Sequence, residues 1–348
     1  MSARPVIAVS VGCPAGIGPE VSVLAASRLR AVRTVLVGDL AVIERAAHLT
    51  HVGTSRLVGI DGPSALDALE EGQIGVLYQS ASLKSLPEAG SPTPEAGAAQ
   101  LAWIDQGADF VRSGAAAALV TGPVSKLAVA SSGAPGSASF RGHTEHLAER
   151  LGAEEVVMAF ASGTLRTALV TTHAALVDVP RLVTPEAVER ASYWLVRLLG
   201  ALGISQPRVA VAALNPHAGE GGLLGTEERT HITPGVERAR ARLSAEGRAA
   251  VLEGPLGAET AYRLHQAGRY DGVVAMYHDQ ATIPCKLVGF GEAVNVTLGL
   301  PILRTSVDHG TGYDVAGTGN ADPRGMIAAI ELAAALASSP PPPDGRRP

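Results

Sequence analysis

Short apolar runs alternate with longer amphipathic stretches along the chain. Residues 6–11, 115–120 and 208–214 are apolar runs of strand length, and each is followed by glycine or polar residues. Stretches between such runs, including 95–113 and 185–202, have the length and spacing of amphipathic helices. Short strands that alternate with helices are typical of a mostly parallel sheet, because a parallel connection needs a crossover element. The pattern therefore predicts an α/β fold.

Composition and charge narrow the class of protein. The 348 residues are 46% hydrophobic and 18% charged, which suits a globular chain of about two domains. The net charge of −5 makes a nucleic-acid-binding surface unexpected. Cys13 and Cys285 form no CxxC pair and no disulfide framework, which favours a reducing cytoplasm. No run of about 18 apolar residues is present, so we expect no membrane span.

Three histidines each follow an apolar run by one to a few residues. They are His173, His217 and His278, spaced roughly 40 to 60 residues apart, as in successive βα units. In a parallel sheet, all three would emerge at the same edge. Three neutral imidazoles with an open position would form a catalytic divalent-metal site. The alternative is that each histidine is only a structural residue at a strand end.

Polar side chains are concentrated between residues 275 and 322. Three apolar runs here, V-V-A-M-Y, A-V-N-V-T-L and I-L-R-T-S-V, lead into glycines and polar residues. The chemically useful side chains are His278, Asp279, Lys286, Asn295, Arg304, Asp308 and His309. Ligand sites in α/β proteins are built from loops at the ends of strands. The stretch therefore has the groups to bind a divalent metal, an acidic substrate and a nucleotide, but it defines no reaction.

Two further segments could face a ligand, and each has an ordinary structural alternative. The segment G-C-P-A-G-I-G-P-E, which contains Gly16, follows a strand and opens a helix, so its backbone N–H groups could hold an anion. It could equally be a plain tight turn. His143 and Thr144 lie just before a helix and could contact a ligand there, but Thr144 could instead be only an N-cap. We predict that His146 is a surface residue.

Motifs along nearly the whole chain resemble those of one family. They occur in the order G-C-P-A-G-I-G-P-E, T-G-P-V-S-K, G-H-T-E, T-T-H, L-N-P-H-A-G-E-G-G, A-M-Y-H-D-Q, V-N-V-T-L-G-L-P, R-T-S-V-D-H-G-T and A-G-T-G-N-A-D. This series is similar to that of the 4-hydroxythreonine-4-phosphate dehydrogenases of pyridoxal phosphate biosynthesis. The resemblance covers residues 5 to 335.

The resemblance implies an isocitrate/isopropylmalate dehydrogenase-like fold, with two α/β domains and the active site in the interdomain cleft. We expect residues 1–128 and 291–338 to form one domain. Residues 129–290 are expected to form the second, with the metal-binding histidines and the dimer contacts. The proline-rich residues 339–348 are predicted to be a disordered tail. The family also implies a homodimer whose active sites take residues from both subunits.

The resemblance also assigns roles to individual residues. The metal-binding positions are His173, His217 and His278. The substrate-binding positions are His143, Thr144, Lys286, Asn295 and Arg304. The expected catalytic groups are Lys286 and Glu259. The residues expected to help bind the nucleotide are Gly16, Asp308, Gly317 and Gly319.

The implied reaction is the NAD-dependent oxidation and decarboxylation of 4-phosphooxy-L-threonine to 3-amino-2-oxopropyl phosphate. A divalent metal would polarise the substrate hydroxyl as hydride leaves, and would stabilise the enolate formed when carbon dioxide is lost. Three histidines and a chelating substrate suit zinc, cobalt, magnesium or manganese, and NADP is an alternative to NAD. Lys286 could transfer a proton or act as a cationic clamp. Arg304 offers a planar fork to a carboxylate or phosphate.

Three positions depart from the family pattern. Cys13 stands where an acidic residue is usual, Glu259 where an aspartate is usual, and Asn320 where a lysine is common. A neutral thiol cannot replace a carboxylate as a charged acceptor. Two alternatives therefore stay open. One is a paralogous dehydrogenase acting on 4-phospho-D-threonate, 4-phospho-D-erythronate or a cis-dihydrodiol dicarboxylate, and the other is an inactive binding homologue.

Overall fold

The computed structural model describes residues 4–78, 82–289, 291–339 and 348. The strands are β1 (Val6–Ser10), β2 (Arg33–Val37), β3 (Leu57–Gly59), β4 (Ile74–Leu77), β5 (Ala118–Thr121), β6 (Val157–Ser162), β7 (Leu165–Leu169), β8 (Arg208–Ala212), β9 (Val251–Leu256), β10 (Gly272–Ala275), β11 (Val294–Leu298) and β12 (Arg304–Val307). The α-helices are α1 (Gly18–Arg28), α2 (Leu40–Leu49), α3 (Pro94–Arg112), α4 (Lys126–Ala130), α5 (His143–Leu151), α6 (Val179–Leu182), α7 (Pro185–Ala201), α8 (Thr233–Ala245), α9 (Ala258–Gln266), α10 (His278–Val288) and α11 (Arg324–Ser338).

The chain divides into two compact units. The first extends to Ala153 and is completed by Pro301–Ser338, whereas the second is built on Glu154–Leu300. The expected boundaries lay after residues 128 and 290. The segment up to Ala153 belongs with the first unit because α5 is tied to α3 by side-chain contacts. His143 and Thr144 are therefore in the first unit, not in the second as expected.

Two side-chain contacts join α5 to α3. The Nε2 atom of His146 lies 2.6 Å from a carboxylate oxygen of Asp105, and Arg150 donates to Asp109 at 2.6 Å. The side chain of His146 is only 13% exposed, so the prediction of a surface histidine is wrong. Disorder was predicted for the tail of residues 339–348, of which residues 340–347 lie outside the described part of the chain.

The first unit contains a parallel sheet in the order β3-β4-β2-β1-β5-β12. The strands β4, β5 and β12 are buried over their whole length. Parallel strands that are covered on both faces need nearly continuous apolar sequences. The apolar runs predicted such strands, and the α/β prediction is confirmed.

The second unit contains a mixed sheet in the order β11-β6-β7-β10-β8-β9. The strands β7, β10, β8 and β9 are parallel, and β6 is antiparallel to both β7 and β11. A two-residue connection cannot form the crossover that parallel strands need, so β6 and β7 form a hairpin. Gly163 in its turn has a φ of 55°, which glycine adopts easily.

Threonine caps fix where the two longest predicted helices begin. Thr93 precedes α3 and Thr184 precedes α7, and in both cases proline occupies the first helical position. Each threonine Oγ accepts a hydrogen bond from the backbone N–H three residues further on, at 3.1 and 3.2 Å. The helices predicted over 95–113 and 185–202 are confirmed to within one residue at each end. No helix in the described ranges is long and apolar enough to cross a membrane.

His265 makes the stability of the second unit depend on pH. This side chain is buried on α9, its Nδ1 lies 2.7 Å from the carbonyl oxygen of Tyr270, and its Nε2 accepts from the N–H of Arg166 at 3.4 Å. Burial lowers the pKa of His265 below its ordinary value. The folded protein therefore favours the neutral ring, while the unfolded chain takes up a proton near pH 6.5. Stability contributed by the neutral ring is present above this pH and is lost as the pH falls below it.

We expect a His265→Gln variant to lose part of this pH dependence. A glutamine side chain can still donate to one of these partners and accept from the other, but it does not titrate. Urea unfolding at pH 7, 6 and 5 should therefore show a smaller fall in the free energy of unfolding for the variant than for the native protein. Identical falls in the two proteins would contradict this role for His265.

Candidate active site

The carboxyl ends of three strands in the second unit lie at one edge of its sheet. The strand β10 is between β7 and β8 and is parallel to both. His173 follows β7, His217 follows β8 and His278 follows β10. Because the three strands are parallel, the loops that carry the three histidines begin at the same edge of the sheet, as the spacing of the apolar runs predicts.

Two of these histidines are neighbours. The ring centroids of His173 and His278 are 5.8 Å apart. His278 is the first residue of α10, and its Nδ1 lies 2.7 Å from a carboxylate oxygen of Asp279. A histidine that donates one ring N–H to a carboxylate has the other nitrogen, here Nε2, oriented for a metal. His173 is exposed and the side chain of His278 is 40% exposed, so a ligand can reach both.

His217 occupies an unusual loop and does not complete a set of three within this chain. Residues from His217 to Gly221 all have positive φ, and His217 itself is exposed. Among the described residues, no group of three or more histidine, cysteine, aspartate or glutamate side chains is arranged to hold a metal ion. His173 and His278 therefore lie close together, and His217 does not form a three-residue group with them among the described residues. The metal site stays a prediction. Neutral imidazoles nevertheless form a donor set that divalent transition metals accept.

The first unit carries the predicted His-Thr pair at the start of α5. The helix begins at His143, and Gly142 is its N-cap, with no capping side chain. Thr144 is therefore inside the first turn, and the N-cap alternative is wrong. The Nε2 atom of His143 is buried and has no hydrogen-bond partner among the described residues. A buried polar atom without a partner is costly, which points to a ligand that supplies one.

Charge and burial set the state of His143 and Arg304. Burial, with the positive charges of Arg304, His146 and Lys126, holds the pKa of His143 well below its ordinary value, so its ring is neutral at pH 7. Arg304 on β12 is 3% exposed and donates to Thr121 Oγ1 at 2.6 Å. Burial lowers the pKa of Arg304 to about 9, and the charge of Glu145 opposes this shift. A guanidinium with that pKa is still cationic at neutral pH, which suits an anionic ligand.

The predicted catalytic and substrate residues of the second unit differ in their surroundings. Asn295 on β11 is half-buried, and within the described structure its Oδ1 is buried without a hydrogen-bond partner. Lys286 is exposed on α10. The side chain of Glu259 is 76% exposed and pairs with Arg263 at 3.1 Å, one turn further along α9. An exposed helical ion pair is an ordinary surface feature, so the catalytic role of Glu259 stays a prediction.

Two of the residues expected to help bind the nucleotide line a cavity in the first unit. Gly16 and Gly317 line this cavity of about 250 Å³, together with Glu20 and Arg45. The buried carboxylate of Glu20 accepts the backbone N–H groups of Gly317 and Gly319 at 2.7 and 3.0 Å. The backbone N–H groups of Gly317 and Gly319 are therefore already hydrogen-bonded, and Gly317 shapes the cavity wall without offering its N–H group to a phosphate.

The loop that contains Gly16 is a tight turn. The Gly16 N–H donates to the carbonyl of Cys13 at 3.0 Å, and the Ile17 N–H donates to the carbonyl of Thr311 at 2.8 Å. These N–H groups are not available to an anion, so the tight-turn alternative describes this loop. A Cβ on Gly16 would lie 2.5 Å from the Thr311 carbonyl oxygen, which explains the glycine. Asp308 directly follows β12 and is half-buried.

Two features of the first unit were not anticipated from the sequence. Glu20 and Arg45 both line the cavity, and Arg45 donates to the carbonyl oxygens of Pro14 and Pro87 at 2.5 and 2.7 Å. The available signal was a glutamate in the first turn of α1, a helix rich in alanine, valine and leucine. Cys13 is fully buried, its Sγ lies 3.6 Å from the hydroxyl of Tyr313, and burial raises the pKa of its thiol. This departure from the family pattern is therefore a neutral buried group.

The fold and these residues define an α/β protein with candidate ligand-binding side chains at the carboxyl ends of parallel strands. Residues 30–333 match the family described as "Pyridoxal phosphate biosynthetic protein PdxA", and the chain belongs to this family. A relative from Desulfosudis oleivorans, named 4-hydroxythreonine-4-phosphate dehydrogenase, is 42% identical over 337 residues and is matched over 96% of each chain.

Solved structures agree with the family. A 4-hydroxythreonine-4-phosphate dehydrogenase from Klebsiella pneumoniae is 34% identical, with a TM-score of 0.83 over 96% of this chain and 100% of that one. A terephthalate 1,2-cis-dihydrodiol dehydrogenase from Burkholderia xenovorans is 31% identical, with a TM-score of 0.67 over 95% of this chain and 98% of that one. The fold is thus shared by dehydrogenases with different substrates.

Proposed function

We propose that this protein is a 4-hydroxythreonine-4-phosphate dehydrogenase of pyridoxal phosphate biosynthesis. It oxidises 4-phosphooxy-L-threonine with NAD, and the resulting β-keto acid loses carbon dioxide to give 3-amino-2-oxopropyl phosphate. The observation that carries the proposal is that His143 Nε2 and Asn295 Oδ1, at two expected substrate positions, are buried without hydrogen-bond partners in the described ranges. At each position a polar group of the substrate would supply the missing partner.

The first unit supplies groups for the anionic part of the substrate. Arg304 is a buried cation whose fork can bind a carboxylate or phosphate. His143 is neutral at pH 7, so it can donate or accept a hydrogen bond without adding charge. Thr144 adds a hydroxyl in the same helical turn. These groups orient the substrate and do not themselves react.

The second unit supplies the groups for oxidation and decarboxylation. His173, His217 and His278 would hold a divalent metal, which supplies Lewis-acid polarisation of the substrate oxygen. Asp279 keeps the ring of His278 oriented through Nδ1. Asn295 contacts the substrate through its amide, and Lys286 is the group proposed to move a proton. Lys286 is exposed on α10 in the single chain, so this role requires that substrate binding or assembly shield it from water.

A homodimer is part of the proposal and comes from the family resemblance. Among the described residues, His173, His217 and His278 do not form one three-residue metal group. Metal sites shared across a two-fold interface are completed by the partner subunit. Zinc, cobalt, magnesium and manganese are the candidate metals. Gly16, Asp308, Gly317 and Gly319 are proposed to help bind NAD or NADP, Gly16 and Gly317 by shaping the cavity wall. Two buried free thiols suit the proposed cytoplasmic location.

A second candidate function is the oxidation of a related substrate. The structural likeness to the Burkholderia xenovorans cis-dihydrodiol dehydrogenase favours it, as do the departures at Cys13, Glu259 and Asn320. The candidate substrates are a cis-dihydrodiol dicarboxylate and the 4-phosphates of D-threonate and D-erythronate. An inactive binding homologue is a third alternative, although the histidines and Lys286 are all retained.

We expect the purified protein to produce NADH from 4-phosphooxy-L-threonine, and to lose this activity on treatment with a chelator. The activity should return on addition of Zn²⁺, Co²⁺, Mg²⁺ or Mn²⁺, because the metal supplies the polarisation that hydride loss requires. NADH formation would be followed at 340 nm, with the three related substrates assayed in parallel. Turnover of one of these instead would replace the first function by the second. No turnover of any of the four would favour the inactive homologue.

A further inference from the structure

The loop that carries His217 has a backbone conformation that is not stable without contacts from elsewhere. Five consecutive residues, His217 to Gly221, have φ between 45° and 77°. Three of them, His217, Ala218 and Glu220, are not glycine. Side chains other than glycine rarely adopt left-handed conformations unless the surroundings impose them. Residues outside the loop must therefore stabilise this backbone conformation.

The side chain of Glu228 makes the contacts that can do this. Its Oε1 accepts the backbone N–H groups of Leu214 and Asn215 at 3.0 and 2.7 Å, and its Oε2 accepts Asn215 Nδ2 at 3.0 Å. Glu228 is 5% exposed. A carboxylate that receives three N–H groups in a buried position is a strong and directional anchor. It fixes the point at which the chain leaves β8 and enters the histidine loop.

The same carboxylate also contacts the middle of the loop. A Cβ placed on Gly219 would lie 2.7 Å from Glu228 Oε2, so the backbone passes directly over the carboxylate. The Leu224 N–H donates to the Gly219 carbonyl at 3.1 Å and closes the loop behind it. Glu227 reaches only the side chain of Asn215 and its own end of the loop. Glu228 is therefore the residue of the pair that touches both the entry and the centre of the loop.

We propose that Glu228 is a positioning residue that sets the orientation of His217 for metal binding. This inference rests on the proposed function, because it assumes that His217 is a metal ligand. In this proposal Glu228 acts by holding the backbone of the loop from which His217 projects, and not as a metal ligand. Outer partners of metal ligands typically change metal affinity by about 10- to 100-fold when they are removed.

The test measures metal binding and catalysis separately. Chelator-treated protein would be titrated with Co²⁺, and the visible absorption of the bound ion would give the dissociation constant. We expect Glu228→Gln to raise this constant by about 10- to 100-fold, while kcat at saturating Co²⁺ stays within a few-fold of the native value. Glu237→Gln, the same change at an exposed position on α8, is the matched control and should bind Co²⁺ like the native protein.

A second variant protects the test against misfolding. Asn215→Asp replaces the donor that faces Glu228 by an acceptor, and leaves the buried carboxylate in place. If the circular dichroism spectrum shows that Glu228→Gln is not folded, Co²⁺ binding is measured on Asn215→Asp instead. A raised Co²⁺ dissociation constant of Asn215→Asp supports the proposal, and an unchanged constant overturns it. Native affinity in a folded Glu228→Gln protein also overturns it.

His217→Ala separates this inference from the proposed function. If His217→Ala binds Co²⁺ as the native protein does, the metal assignment fails, and the positioning role fails with it. If His217→Ala loses affinity while Glu228→Gln does not, the metal assignment stands and only the positioning role is overturned.

Discussion

Replacing His217 with alanine is expected to lower kcat/KM for NADH formation by about 10³-fold or more. The physical reason is that a divalent metal is worth several kcal/mol of charge stabilisation in the transition state, and 4 kcal/mol corresponds to nearly 10³-fold in rate. His217 is exposed on its loop, so its removal leaves no cavity in a core. The thermal midpoint of the variant should consequently stay close to the native value.

The control for this prediction is His48→Ala. His48 is also exposed, but it lies at the end of α2 in the first unit, where the proposal gives it no role. Steady-state kinetics with saturating metal, together with metal analysis of the purified proteins, would compare the variants. Full activity in His217→Ala would remove His217 from the metal site. Equal losses in both variants would show that the effect is not specific.

Arg304→Met is the second substitution with a large expected effect. We expect its activity to fall while its stability stays the same or rises. The guanidinium binds the anionic part of the substrate, and loss of one member of a buried charged contact costs about 2 to 5 kcal/mol. This range corresponds to a loss in kcat/KM of about 30- to 5,000-fold, with most of the loss in KM if the contact forms in the ground state.

The stability of this variant should be equal to or higher than that of the native protein. Burial lowers the pKa of Arg304 to about 9, so the folded protein without substrate disfavours the charge. An apolar side chain of similar length removes the desolvation cost of burying this charge. The lost hydrogen bond to Thr121 and the lost attraction to Glu145 oppose this gain. Strained or charged groups kept at a cost in stability are typical of active sites.

Kinetics and thermal unfolding of Arg304→Met would be compared with those of Arg112→Met. Arg112 is 61% exposed at the end of α3 and pairs with Asp109, so its replacement should change neither quantity appreciably. A large fall in the thermal midpoint of Arg304→Met, with KM for the substrate unchanged, would show that Arg304 is a structural residue. Its predicted role in binding the substrate would then be wrong.

Some elements could be predicted from the sequence because they depend on local physics. The helices α3 and α7 carry a threonine cap followed by proline, and both were predicted to within a residue. The strands β1, β4 and β10 are apolar runs bounded by polar residues or glycine. In contrast, β9 reads V-L-E-G-P-L and has no such signal. It becomes a strand because it pairs with the buried strand β8, a long-range contact that local sequence does not reveal.

The sequence by itself determined the α/β class, the family and the residue types at the candidate site. The regular placement of His173, His217 and His278 after strands is a local property of the chain, and the parallel pairing of β7, β10 and β8 puts the starts of their loops at one edge. Side-chain motifs such as L-N-P-H-A-G-E-G-G are read directly from the sequence.

Only the tertiary structure decided how these groups are held. It put His173 beside His278, left His217 outside a three-residue cluster of the described chain, and placed His143 in the first unit. It also showed that the backbone N–H groups of Gly317 and Gly319, two glycines predicted to help bind the nucleotide, donate to Glu20. This residue is almost 300 positions away in the sequence. Such outcomes depend on burial and on contacts between distant segments, because a side chain's pKa, partners and exposure are fixed by its neighbours in space and not by its neighbours in the chain.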